Sequence, residues 1–160
     1  MHAHLTLKTP LGDLTVFEDD GALVAVDWGR AGGGGTETPV LKRARAAFEA
    51  YFSGRKNAFD GLPLRPGGTD HQRAVWRAMQ AIPYGKTTSY AAIARKIKSG
   101  PRPVGTACGK NPLPIIIPCH RVLGSNGIGG YSGNDGLPTK RYLLALEGVD
   151  LGSAEKGNVA

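Results

Sequence analysis

Apolar and polar residues alternate through Leu5-Thr6-Leu7-Lys8 and again through Leu14-Thr15-Val16-Phe17, with Pro10-Leu11-Gly12-Asp13 between them. Period-two alternation on both sides of a turn sequence predicts a β-hairpin. A second turn at Asp19-Asp20-Gly21 leads into a third antiparallel strand from Ala22 to Trp28. The run Gly32 to Gly35 has no side chains to pack and reads as a flexible loop. Helical periodicity then takes over from about Val40 to Phe52 and stops at Ser53-Gly54.

Between Asp60 and Gly68 the chain is rich in Pro and Gly, which suits a boundary between a small N-terminal domain, residues 1–65, and a second domain, residues 66–160. Thr69, with Gln72 three residues later, has the pattern of a capping box. Val75, Trp76, Met79 and Ile82 give the helix that follows one apolar face. After Pro83-Tyr84-Gly85, Ser89 is placed to cap a short helix from Tyr90 to about Ile97. Ser99-Gly100-Pro101 breaks the chain before a second short helix, predicted from Pro103 to about Lys110. Two short helices around a tight turn form a helix-turn-helix candidate. Beyond Asn111-Pro112 the apolar run is expected to be extended through Ile117. A Gly-rich loop then leads to a last helix from about Pro138 to Glu147, closed by Gly148. The fold class is α/β: a strand-and-helix N-terminal domain and a mainly helical C-terminal domain with a helix-turn-helix.

With 20 Lys and Arg against 13 Asp and Glu, the formal charge is +7, which favours a polyanionic partner. Nearly half of those basic residues fall between Arg73 and Arg121, across the helix-turn-helix candidate. No apolar run approaches the roughly 20 residues of a membrane span, and Met1-His2-Ala3-His4 does not begin a secretory signal, so a cytoplasmic protein is expected. Cys108 and Cys119 are the two cysteines; they supply neither a disulfide framework nor a multi-cysteine zinc site, and two reduced thiols are expected. No metal or cofactor is expected.

Pro118-Cys119-His120-Arg121 sets a thiol, an imidazole and a guanidinium between an apolar run and a Gly-rich loop. A cysteine acts as a nucleophile through its thiolate, and a neighbouring base or cation enlarges that population. A bare Cys-His pair is more often an inert buried thiol beside a surface imidazole. Alone, Tyr90 reads as a core aromatic on a helix and Arg102 as a solvated residue at a helix start.

The longer segment Asn111-Pro-Leu-Pro-Ile-Ile-Ile-Pro-Cys-His-Arg-Val122 closely resembles the active-site signature of the O6-alkylguanine-DNA alkyltransferase family. The resemblance extends to Ile82-Pro-Tyr-Gly-Lys-Thr-Thr-Ser-Tyr90, Arg102-Pro-Val-Gly105, Tyr131-Ser132-Gly133 and Leu143-Leu-Ala-Leu-Glu-Gly148. It covers residues from about Thr69 to Val149, while the N-terminal part is similar in strand pattern and size. The resemblance implies a monomer that binds double-stranded DNA containing O6-alkylguanine, through the minor groove. It would transfer the alkyl group irreversibly to its own Cys119, with O4-alkylthymine as a second substrate.

By the same resemblance, His120 activates Cys119 through a water and Glu147 orients His120. Tyr90 rotates the phosphate of the everted nucleotide and protonates the departing guanine, and Arg102 fills the gap left in the base stack. Asn111, grouped with these DNA-facing residues, holds the turn between the recognition helix and the active-site strand. Ser132 and the Tyr131 backbone contact the guanine oxygen, and the carbonyls of Cys119 and Val122 its amine. Three departures from the family pattern stand out. The N-terminal part lacks cysteines for the zinc of some relatives, Pro103 and Cys108 sit on the recognition helix, and the loop from Asn134 to Pro138 differs. Two other functions fit parts of the pattern: a cysteine hydrolase turning over a thioester, and a helix-turn-helix regulator with an unreactive thiol.

Overall fold

The computed structural model describes residues 2–32, 35–124, 127–131 and 133–150, so the middle of the predicted glycine loop and the predicted site residue Ser132 lie outside the described residues. The chain divides into two compact units, Met1–Gly67 and Gly68–Ala160.

In the first unit, strands β1 (His2–Thr9), β2 (Gly12–Asp19) and β3 (Ala22–Trp28) form an antiparallel sheet in chain order. The β2–β3 connection is a two-residue loop. Asp20 and Gly21 both have positive φ, 49° and 83°, the twist that lets adjacent antiparallel strands meet without splaying. Leu5, Leu7, Leu14, Val16, Leu23 and Val26 are buried. So are Val40, Leu41, Ala44, Phe48 and Tyr51 along α1 (Pro39–Phe52), whose three-to-four-residue spacing makes one apolar stripe. Thr38 caps that helix by accepting from the Leu41 N–H. The Pro- and Gly-rich segment after it is tied down. Leu23 donates to Pro63 O and Arg65 donates to Leu23 O, both at 2.8 Å, so this stretch pairs with β3 up to Arg65.

The second unit is built on α2 (Asp70–Gln80), α3 (Tyr90–Ile97) and α4 (Pro101–Gly109). The capping box at Thr69 and Gln72 forms as expected. Val75, Trp76 and Met79 are buried, and the Trp76 indole donates to Ala107 O on α4 at 2.9 Å. Ser89 caps α3, and Lys98 ends it in the left-handed conformation. α4 starts at Pro101 rather than Pro103. The N–H groups of a first turn have no intrahelical acceptor, so one turn accommodates two prolines at no hydrogen-bonding cost.

The predicted extended run to Ile117 is instead a tight turn. Ile117 donates to Leu113 O at 2.8 Å, Ile115 adopts φ of 73°, and Asn111 spans the turn by donating to Ile117 O and accepting from the Leu113 N–H. A β-branched residue rarely tolerates that region. Here Leu113, Ile115, Ile116 and Ile117 are all buried, and packing outweighs the local preference for an extended chain. A 3₁₀ turn, Cys119–Arg121, follows. Two short strands, β4 (Thr88–Ser89) and β5 (Val122–Leu123), then pair in parallel, bringing the start of α3 beside the cysteine turn. The last helix, α5 (Leu137–Leu146), ends with Glu147 as its C-cap and Gly148 at φ of 83°.

A Cβ at Gly68 would lie 2.7 Å from the Trp76 ring and 2.7 Å from Gln72 Oε1. Because the ring is buried and tethered to α4, it has nowhere to yield. Gly68→Ala is expected to destabilise the second unit by roughly 1–3 kcal/mol, read as a lower denaturant midpoint; an unchanged midpoint would show that the ring is free to shift.

Candidate active site

Two buried side chains, His120 and Glu147, and the part-buried Arg121 form a line behind the cysteine turn. His120 Nε2 lies 2.6 Å from Glu147 Oε2. Arg121 grips the same carboxylate from the other side, Nε to Oε1 at 2.8 Å and Nη2 to Oε2 at 3.1 Å, and its Nη1 donates to Ile82 O at 2.7 Å. The guanidinium also lies over the Tyr84 ring, and the Tyr84 hydroxyl donates to Leu146 O at 3.3 Å. Glu147 is therefore fixed by residues from the α2–β4 connection, the cysteine turn and its own helix. Gly85, at φ of +80°, passes so close that a Cβ there would sit 3.2 Å from Glu147 O.

This arrangement sets the state of His120. With a carboxylate accepting at Nε2, the imidazole proton resides there and the Nδ1 lone pair remains; Nδ1 is buried with no protein partner. Burial pushes the imidazole below its ordinary value of 6.5 and outweighs the opposing pull of Glu147; the Arg121 and Lys140 charges push the same way as burial. A neutral imidazole carrying a lone pair is a base.

In front of that line lies a cavity of about 310 Å³ lined by Tyr90, Cys108, Cys119 and Tyr131, with Gly105, Gly109 and Gly130 completing its wall. Burial raises the Cys119 thiol; a hydrogen bond from Asn111, the Lys140 charge, the residue's own backbone N–H and the Tyr131 hydroxyl oppose that rise. The Tyr131 hydroxyl is buried, without a nitrogen or oxygen partner, against this thiol. Burial and the nearby thiols push Tyr90 up to about 12, so at neutral pH it holds its proton and is a donor.

Of the predicted site residues, the cavity brings together Cys119, Tyr90 and Tyr131, and His120 and Glu147 stand behind it. Val122 is buried and its carbonyl already accepts from Lys140 Nζ at 2.7 Å. Asn111 braces the turn before Cys119, with its amide 2.8 Å from Ile117 O. Arg102 is exposed on the first turn of α4 and does not line the cavity.

Three residues outside the predicted set belong to the site: Arg121, Cys108 and Lys140. Lys140 is fully buried, and one signal for it is present in the sequence. It precedes Leu143 and Leu144 by three and four residues and Glu147 by seven, which puts all four on one face of α5. Among the described residues, no group of His, Cys, Asp and Glu is arranged to hold a metal, and no helix is long and apolar enough to cross a membrane.

Comparison with known proteins gives this geometry its family. Residues 70–149 match the family model for the 6-O-methylguanine DNA methyltransferase DNA-binding domain, and residues 3–66 match that for the ribonuclease-like domain of the same enzyme. The chain belongs to the 6-O-methylguanine DNA methyltransferase family. The methylated-DNA--protein-cysteine methyltransferase of Haemophilus influenzae is 38% identical over 155 residues, covering 88% of this chain and 83% of that protein. Its counterpart from Mycolicibacterium paratuberculosis is 42% identical, covering 92% and 93%. A solved structure of Mycobacterium tuberculosis OGT in complex with DNA superposes with a TM-score of 0.80 at 36% identity, covering 90% of this chain and 91% of that one. Membership in this family accounts for a buried thiol-and-imidazole site next to a helix-turn-helix.

A folded imidazole held below 6.5 binds fewer protons than the same residue in the unfolded chain. Its contribution to stability is therefore present above pH 6.5 and is lost as pH falls toward the folded value, with a limiting slope of about 1.4 kcal/mol per pH unit. Denaturation at pH 7.5 and 5.5 should show the wild type losing stability on acidification, and His120→Gln losing less. A wild-type midpoint that is equal or higher at pH 5.5 would mean that Glu147 holds an imidazolium.

Proposed function

We propose that this protein repairs DNA by moving the alkyl group of O6-alkylguanine, and of O4-alkylthymine, onto its own Cys119, once per molecule. The Cys119 thiol facing the cavity, with the His120–Glu147 pair at 2.6 Å behind it, is the observation that carries this reading. A nucleophile, a base and a group orienting the base are the parts such chemistry requires.

In the proposed reaction His120 accepts the thiol proton at Nδ1 through a water, and Glu147 and its guanidinium partner hold the imidazole as it becomes charged. The sulfur attacks the alkyl carbon in line; the S–C bond forms while the C–O6 bond breaks. The electron pair leaves with guanine, which is protonated from the Tyr90 hydroxyl. A high Tyr90 pKa keeps that proton available until charge develops on the base. The product is a thioether, which water does not cleave under these conditions, so the protein does not turn over.

Extruding a base costs a few kcal/mol and is easiest for a damaged, poorly paired one. Arg102, exposed at the start of α4, would enter the stack behind the departing nucleotide. Arg95, Lys96 and Lys98 at the end of α3 and Lys110 after α4 supply positive charge for the phosphates. The Val122 and Cys119 carbonyls, the Tyr131 backbone and Ser132 would read the guanine edge, and Asn111 keeps the cysteine turn in register. A monomer acting in the cytoplasm on the minor groove of duplex DNA completes the reading.

Mixing the protein with excess O6-methylguanine duplex should add one methyl group per molecule, located by peptide mass on the Cys119 peptide. Cys119→Ser should bind the duplex and acquire none. More than one lesion repaired per protein, or methylation chiefly at Cys108, would overturn the assignment. Arg102→Ala should slow repair of the duplex by tenfold or more and leave reaction with a free-base O6-alkylguanine near the wild-type rate; equal losses on both would place Arg102 in support of the fold.

A further inference from the structure

Lys140 is the buried charge that the proposed mechanism does not use. Its side chain is fully enclosed on α5, and Nζ donates to Val122 O at 2.7 Å and to Gly130 O at 3.0 Å. An ammonium has three donors and these carbonyls occupy two. No carboxylate pairs with it among the described residues; the carboxylate on the same face, Glu147, is held by His120 and Arg121. Enclosing an unpaired cation is costly, and a lysine with no other role would snorkel to water.

The two carbonyls lie on the two strands of chain that flank the cavity. Val122 directly follows the cysteine turn, and Gly130 directly precedes Tyr131. We propose that Lys140 is a positioning residue for alkyl transfer: its ammonium clamps these two segments across the cavity and supplies the positive charge that stabilises the Cys119 thiolate. The inference rests on Cys119 being the acceptor.

The groups around Nζ are consistent with that role. Cys119 and Cys108 both feel the lysine charge, and both in turn favour its protonated form. His120 feels it in the opposite sense, since a cation nearby discourages an imidazolium. Tyr90 and Tyr131 share the cavity but hold their protons strongly. Burial lowers Lys140 to about 8, so the ammonium persists at neutral pH while its proton is only loosely held. Lys140 thus differs from Arg121, whose charge is spent on Glu147. Among the described residues it is the cation whose field opposes the burial penalty on the thiol.

Charge and clamping are separable by substitution. Lys140→Gln keeps a hydrogen-bond donor for the carbonyls and removes the charge; Lys140→Met removes both; Lys140→Arg keeps the charge. The probe is iodoacetamide, which reacts with the thiolate and does not require recognition of guanine, with modification of the Cys119 peptide followed by mass across pH 6–10. Lys140→Gln and Lys140→Met are each expected to react about tenfold more slowly than wild type at pH 7.5, with the rate recovering at higher pH, and Lys140→Arg is expected to keep the wild-type pH profile. A Gln variant with the wild-type profile, or losses equal at every pH, would reduce Lys140 to a structural brace and overturn the proposal.

Should the variants not fold, the reciprocal effect is measurable in the intact lysine. NMR titration of Lys140 in wild type and in Cys119→Ser should show the ammonium losing its proton at lower pH once the thiol is absent. An unchanged titration would likewise overturn the proposal. Because iodoacetamide reports on the thiol alone, failure of this test leaves methyl transfer from DNA to be judged separately by its own stoichiometry.

Discussion

A carboxylate at the C-terminal end of a helix sits where the backbone dipole is least favourable to it, and Glu147 is in addition buried. A lone buried carboxylate costs several kcal/mol, so the position is tenable only with counter-charge and full hydrogen bonding. Arg121 provides both, with two contacts to the carboxylate and a third to Ile82 O that fixes the guanidinium itself. With that charge already balanced, His120 can remain neutral while bonded to the same carboxylate. This explains how an Asp/Glu-His pair can leave a base rather than an imidazolium: the arginine has met the electrostatic need first. The tight passage of Gly85 and the Tyr84 contacts then follow as packing around this one group.

Both cavity thiols are pushed upward by burial, Cys108 to about 12, so exclusion of water alone would leave neither reactive. What separates them is the company each keeps. Cys108 meets the Met79 sulfur at 3.5 Å, a partner that does little for a thiolate. Cys119 has the Asn111 amide, its own backbone N–H and the Tyr131 hydroxyl. In the proposed reaction these fixed dipoles favour a thiolate at Cys119 over one at Cys108.

Most of the secondary structure was legible because its signals are local. Alternation marked the three strands, caps at Thr69 and Ser89 marked two helix starts, and α3 has the predicted ends. The failures have physical causes. Successive isoleucines suggest an extended chain, but burial on several sides and the Asn111 side chain fold that run into a turn. Pro103 resembles a helix start as well as Pro101 does, since a first turn accepts either. In the site, Cys119, His120, Tyr90 and Glu147 were read through resemblance to a family, because nothing in their spacing reveals that they meet. Arg121 was visible beside His120 without a role. Lys140 is hidden in the sequence because a lysine on a helix is ordinarily solvated, and only the stripe it shares with Leu143, Leu144 and Glu147 points inward.

The His120–Glu147 contact joins parts of the chain that are made at different times. Cys119 and His120 leave the ribosome before Glu147, whose carboxylate His120 and Arg121 both hold in the finished fold. Until α5 has been synthesised and has docked, His120 lacks the carboxylate that holds it, and the proposed relay to the thiol is incomplete. Vectorial synthesis therefore works as a delay. In the proposed reaction, a sulfur that is spent once is thus armed only when α5 docks.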